Sequence, residues 1–201
     1  MSGPDGRLRT PAAILETASH VLAERGDASM NDIAAAAGVG RATLYRHFPT
    51  RDALMKALVE EATQDLVTRI RDAGLDGTPV AEALHRLLRA IFTVGDRYLV
   101  FTREFLTGGP AREYRLDKDV VDQFVAAPIR SVLERGVADG TLRTDLGAEA
   151  VVQLFGGLIV GALEGSLQRT LGVEAAAAAV ASVFLYGAGR SDTMPQASGV
   201  S

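Results

Sequence analysis

Between Arg41 and Arg51 the chain reads RATLYRHFPTR, and this one stretch gathers Arg41, Thr43, Tyr45, Arg46, His47 and Arg51. Guanidinium forks, hydroxyls and imidazoles are the groups that meet phosphate oxygens and the edges of bases. Leu44 and Phe48 stand four apart and mark one apolar helix face, which leaves the polar side chains around the remainder. A helix of roughly eight residues is marginal by itself. So many donors on so short a helix point to a working surface rather than a solvated one.

Catalytic chemistry finds little support by comparison. The histidines are His20, His47 and His85, with no recognisable nucleophile motif nearby and no glycine-rich phosphate loop. Glu82 and His85 make a single Glu-x-x-His pair, whereas di-iron bundles use two such motifs plus further carboxylates. The chain contains no cysteine, so a disulfide, a thiolate metal site and a cysteine nucleophile are all excluded. The expectation is a protein that is not an enzyme and needs no metal or cofactor.

The elements around the polar stretch must hold it at the surface. Ser29 and Asp32 have the spacing of a capping box, and Ile33, Ala34 and Ala37 then repeat at helical spacing up to Gly38, a stop signal. After Val39 and Gly40 comes the helix of Leu44 and Phe48; Pro49 ends it, and Thr50 with Asp52 starts another carrying Leu54, Leu58 and Ala62. Ahead of them Thr10 caps a helix with Pro11 first and a stripe of Ile14, Leu15, Ala18, Val21 and Leu22. Three helices with a tight glycine turn between the second and third describe a helix-turn-helix head over residues 10–56.

Gly38-Val39, Thr43 to Phe48 and Arg51-Asp52-Ala53-Leu54 closely resemble the signature of the TetR family of transcriptional regulators. The resemblance is strong over the first sixty or so residues and agrees with the rest in length and layout. It implies that Arg41 and Thr43 contact base edges or backbone, that Tyr45, His47 and Arg51 contact phosphates, and that Leu44 and Phe48 are core. It also brings two departures: Gly40 stands where a hydroxyl residue often caps the recognition helix, leaving its backbone N–H to serve, and Arg51 stands where lysine is common.

Net charge is −4, but it is divided: residues 1–57 hold seven Lys/Arg and six Asp/Glu, and the remaining residues fourteen and nineteen. A nearly neutral head on an acidic body must bind through placed arginines rather than bulk charge. Residues 1–9, with Arg7 and Arg9 among Gly3, Pro4 and Gly6, read as a disordered arm, either a DNA-contacting one or a mere tail. No signal-like apolar stretch opens the chain and no run of eighteen apolar residues occurs, so a cytoplasmic protein with no membrane contact is expected.

Residues 57–190 read as an all-α body for effector binding and dimerisation, and 191–201 as a disordered tail, about nine helices in all. The helix begun near Arg51 runs to about Ala73 and joins head to body; Val80 to Phe92 follow the helical apolar pattern, with Gly95 closing it. A shorter helix follows around Tyr98 to Leu106, then one from about Arg112 to Ala138 that Pro128 should kink or divide, then Ala148 to Thr170 and Val173 to Gly189. Gly157, Gly161 and Gly165 recur every fourth residue, where each glycine weakens a helix by about 1 kcal/mol. Small residues let another helix come close, so this stripe and the alanine-rich last helix form either a homodimer surface, as the resemblance implies, or a close contact within one subunit.

The resemblance further implies a small-molecule effector among the central helices. Phe92, Tyr98, Phe101, Phe105, Phe124 and Phe155 are the candidate lining, ordinary core being the competing and weightier reading of each, with Arg89, Arg97, Arg103, Glu104 or Gln153 as polar anchors. The expected function is a repressor that binds a palindromic double-stranded operator as a homodimer and is released by its effector. The competing reading is a ligand-binding or adaptor helical dimer without DNA binding.

Overall fold

In the computed structural model, residues 10–95, 118–165 and 167–188 are described, and among them every regular element is helical. The head is built from α1 (Pro11–Glu24), α2 (Met30–Ala36), α3 (Arg41–His47) and the start of α4 (Arg51–Asp72). Local chemistry sets these boundaries. Thr10 Oγ1 accepts from the Ala13 N–H (3.3 Å), Ser29 Oγ from Asp32 N–H (3.2 Å) and Thr50 Oγ1 from Ala53 N–H (3.0 Å). The turn between α2 and α3 closes through Gly38 at φ 63°, with Gly38 N–H on the Ala35 carbonyl and Val39 N–H on that of Ala34, the paired bonds of a Schellman stop.

Ile14, Leu15, Ala18 and Leu22 of α1 pack with Ile33, Leu44, Phe48, Leu54, Met55 and Leu58 into the head core. Leu66 and Ile70, further along α4, belong instead to the body core. The domain boundary drawn at 56/57 therefore falls inside a continuous 22-residue helix whose Leu58 still belongs to the head.

In the body, α5 (Val80–Thr93) lies against α4 and against the last helix, α10 (Val173–Ala188). Between them come α6 (Lys118–Val121), a π-helical segment Asp122–Ala126, α7 (Ala127–Ala138), α8 (Ala148–Glu164) and the short α9 (Leu167–Leu171). The division expected at Pro128 is present and has a specific form: the π segment lies directly upstream and packs on α4. Proline offers no N–H to the carbonyl one turn back and its ring crowds that carbonyl, which a wider turn relieves. α8 stops at Glu164 rather than running to Thr170. Gly165 caps it with its N–H on the Gly161 carbonyl (3.0 Å), so this third glycine of the stripe ends the helix instead of lying within it. The expected helix around Tyr98 to Leu106, the arm 1–9 and the tail 191–201 lie outside the described residues.

Candidate nucleic-acid interface

The seven residues of α3 divide sharply by exposure. Leu44 is fully buried and Phe48, its C-cap, is buried too, so the helix is clamped to the head by one face. Arg41, Tyr45 and Arg46 are exposed and Thr43 is half-buried. Among the described residues neither Arg41 nor Arg46 forms an ion pair or side-chain hydrogen bond, which leaves both guanidinium groups open to an outside partner. Tyr45 is 43% exposed, a large aromatic left on the surface beside them.

Gly40 is the N-cap at φ −67°, ψ 149°, with no side-chain cap bond; its carbonyl accepts from Thr43 N–H (2.9 Å) and Leu44 N–H (3.1 Å). A Cβ built there meets nothing within 4 Å, so the position tolerates a side chain and glycine is not a steric necessity. His47 is half-buried with its ring tilted against Phe48, centroids 6.3 Å apart. Its Nε2 is buried with no hydrogen-bond partner, so the nitrogen that can face an outside group is Nδ1.

Arg51 has a different environment from the other cations. Its Nη2 donates to the Gly26 carbonyl at 3.0 Å and its Nη1 to the Ala28 carbonyl, both in the loop between α1 and α2. The structure therefore places Arg51 on protein carbonyls, apart from the exposed Arg41 and Arg46. In the same region the Asp32 carboxylate is held below its ordinary 3.8, first by the Ser29 hydroxyl (2.6 Å) and then by the Ser29 backbone N–H (2.8 Å).

Of the proposed effector-lining residues, Phe92 and Phe155 are wholly buried in the body core, and the Phe155 ring meets Phe184 edge-on at 4.8 Å. Phe124, on the π segment, is 43% exposed, and Tyr98, Phe101 and Phe105 lie outside the described residues. Gly157 and Gly161 are exposed on α8, and a Cβ at either meets nothing within 4 Å. Leu154 on the same helix and Val183 and Tyr186 on α10 are also exposed. Glycine spacing drew attention to α8. The exposed aliphatic and aromatic side chains of α8 and α10 are visible only in the fold.

Two further arginines grip the loop after α4. Arg86 donates to the carbonyls of Ala73 and Gly74 (both 3.1 Å) while paired with Glu82 at 2.6 Å, and Arg135 donates to the Leu75 carbonyl at 2.9 Å. Only the Glu82–Arg86 pair, one helical turn apart, carried a sequence signal.

Residues 14–58 match the family model described as bacterial regulatory proteins, tetR family. Over 89 residues the chain is 40% identical to the HTH-type transcriptional repressor LfrR of Mycolicibacterium smegmatis, covering 44% of this chain and 47% of that one. The chain spans about half the length of the curated relatives it matches. The crystal structure of LfrR from Mycobacterium smegmatis in complex with proflavine superposes with a TM-score of 0.67 at 27% identity, over 93% of this chain and 99% of that one. The ketosteroid transcriptional regulator KstR2 of Mycobacterium tuberculosis shares the fold with a TM-score of 0.70 at 23% identity, over 90% and 95% of the two chains. These relatives are transcriptional regulators rather than enzymes. Together with the helix-turn-helix geometry of the head, the matches show that residues 14–58 form a DNA-binding head of the tetR type and that the chain is similar in fold to TetR-like regulators.

Proposed function

We propose that this protein is a cytoplasmic repressor that binds a palindromic operator as a homodimer and lets it go when a small molecule occupies the body. The observation that carries this reading is the open face of α3, where Arg41, Tyr45 and Arg46 stand exposed on a helix clamped from behind by Leu44. Arg41 and Thr43 read base edges or the adjacent backbone, while Tyr45 and the Nδ1 side of His47 meet phosphates. Gly40 contributes no side chain and leaves room for the backbone to approach.

A second subunit supplies what one small head lacks, since two recognition helices about one duplex turn apart read a palindrome. The face carrying Leu154, Gly157, Gly161, Val183 and Tyr186 is the proposed contact, with Gly165 at its end. Its support is apolar side chains left in water on both helices and, on α8, glycines that allow close approach. An effector is supported by the solved LfrR structure, which holds proflavine. An effector that favours wrongly spaced heads weakens DNA binding by the factor by which DNA weakens effector binding, typically about 1 to 3 kcal/mol.

Selection of random duplexes by the full chain tests the reading. A recovered palindromic motif is the expected outcome; recovery of none favours an adaptor dimer that lacks DNA binding.

A further inference from the structure

We infer that Arg51 is a positioning residue that sets the orientation of the helix-turn-helix, and that it does so without touching phosphate; the inference rests on the DNA-binding reading above. Arg51 is the first residue of α4, where the positive end of the helix dipole disfavours a cation unless another field compensates. The compensation comes from the loop after α1. Beyond the C-cap of that helix, Arg25, the carbonyls of Gly26 and Ala28 receive the two arms of the Arg51 guanidinium. Arg51 thus ties the start of α4 to the α1–α2 loop, more than twenty residues away in sequence.

The loop it holds leads directly into the reading head. Ala28 is buried, its N–H is bonded to the Arg25 carbonyl (3.0 Å), and the next residue, Ser29, opens α2 through its reciprocal bonds with Asp32. From there α2 passes through the Gly38 turn to α3. A fixed Ala28 carbonyl therefore fixes where α2 begins, and with it the angle at which α3 leaves the head relative to α4. Two carbonyls engaged by two different nitrogens match a planar fork. A lysine ammonium carries its donors at a single point. With two of its five N–H donors on the protein's own carbonyls, Arg51 differs from Arg41 and Arg46, which keep theirs free among the described residues.

Three readouts on Arg51→Lys and Arg51→Gln test this. Affinity for a duplex recovered by selection with the wild-type chain is measured across a salt series, at a temperature where circular dichroism shows each variant fully folded. Amide exchange over residues 28–33 is measured without DNA. Positioning predicts that both variants bind roughly tenfold more weakly at every salt concentration, the worth of one hydrogen bond to a charged group, with the salt slope of the wild type. It also predicts that amide exchange over residues 28–33 quickens about tenfold in both.

A phosphate contact predicts instead that Arg51→Gln lowers the salt slope by about 1 and that Arg51→Lys restores both slope and affinity; that result overturns the inference. Unchanged affinity in fully folded variants reduces Arg51 to a stabilising role and overturns it as well. Should the wild type select no duplex, the DNA-binding reading falls by itself. Amide exchange then decides whether the brace exists: unchanged exchange in both variants refutes it, and quickened exchange supports it.

Discussion

Replacing Gly161 with leucine separates the packing of one subunit from the contact between two. Within the subunit the substitution meets open space, because a Cβ at Gly161 has no atom within 4 Å beyond its own helix. The glycine lies inside α8, so a good helix former there stabilises the subunit by about 1 kcal/mol. Across a two-fold interface the same change inserts two leucines, one from each subunit, where two glycines had met. Overpacking costs roughly 1 to 3 kcal/mol per site, hence about 2 to 6 kcal/mol for the pair, or a dimer weakened from about thirtyfold to beyond ten-thousandfold.

Sedimentation over a concentration series measures the association, and far-ultraviolet circular dichroism checks the helix. The expected result is full helical content, a shift to monomer and loss of operator binding in parallel. A variant that sediments as the wild-type dimer refutes the placement of the interface on this face. A variant that loses helix content refutes the premise that Gly161 faces open space within its own subunit.

Three further outcomes follow from the head. Arg41→Ala relaxes preference at the base pair it reads by about 1 to 3 kcal/mol, measured against single-base-pair operator variants; an equal loss on every sequence refutes base reading. His47→Asn keeps a donor near the position of Nδ1 and His47→Gln one near Nε2, so with Nε2 buried the asparagine variant retains more affinity, and the reverse order refutes the proposed orientation. Asp32 has a folded-state pKa below its ordinary 3.8, so its capping contribution is present above that pH and fades as pH falls through the depressed folded value. Asp32→Asn removes this dependence, and denaturation profiles of variant and wild type that run parallel across the acid range refute it.

What could be read from the sequence was the chemistry that acts within a turn of the chain. Thr10, Ser29 and Thr50 cap because a hydroxyl can reach an N–H three residues on, and Gly38 stops α2 because the stop needs a positive φ. Leu44 and Phe48 are core because a four-residue spacing allows one buried face. What could not be read was bonding over long separations. Arg51 finds carbonyls 25 and 23 residues back, and Arg135 finds one 60 residues back. The family resemblance assigns Arg51 a phosphate, and position in a motif is silent about the two carbonyls its side chain meets in the fold. Pro128 announced a break, but not that it would take the form of a π segment packed on α4. The exposure of Tyr186 follows from α10 lying across α5, a tertiary fact with no local trace.

The arginines also bear on the proposed link between an effector in the body and DNA at the head. α4 contributes Leu54, Met55 and Leu58 to the head core and Leu66 and Ile70 to the body core, so it is a structural member of both. Its head end is tied by Arg51 to the α1–α2 loop, and the loop at its body end is tied by Arg86 and Arg135. Sliding along its axis by one turn, about 5.4 Å, would break both sets of bonds and unpack both cores. A tilt can carry the whole head as a unit while the Arg51 bonds stay intact. Twenty-two residues make a helix about 33 Å long, and a tilt of about 5° swings its far end by about 3 Å. In the proposed homodimer, two subunits tilting in opposite senses would change the head spacing by about twice that, against a duplex repeat of roughly 34 Å. The π segment packs on this same helix, so the proposed effector would gain leverage over the spacing of the heads by reshaping that contact, without altering α3 itself.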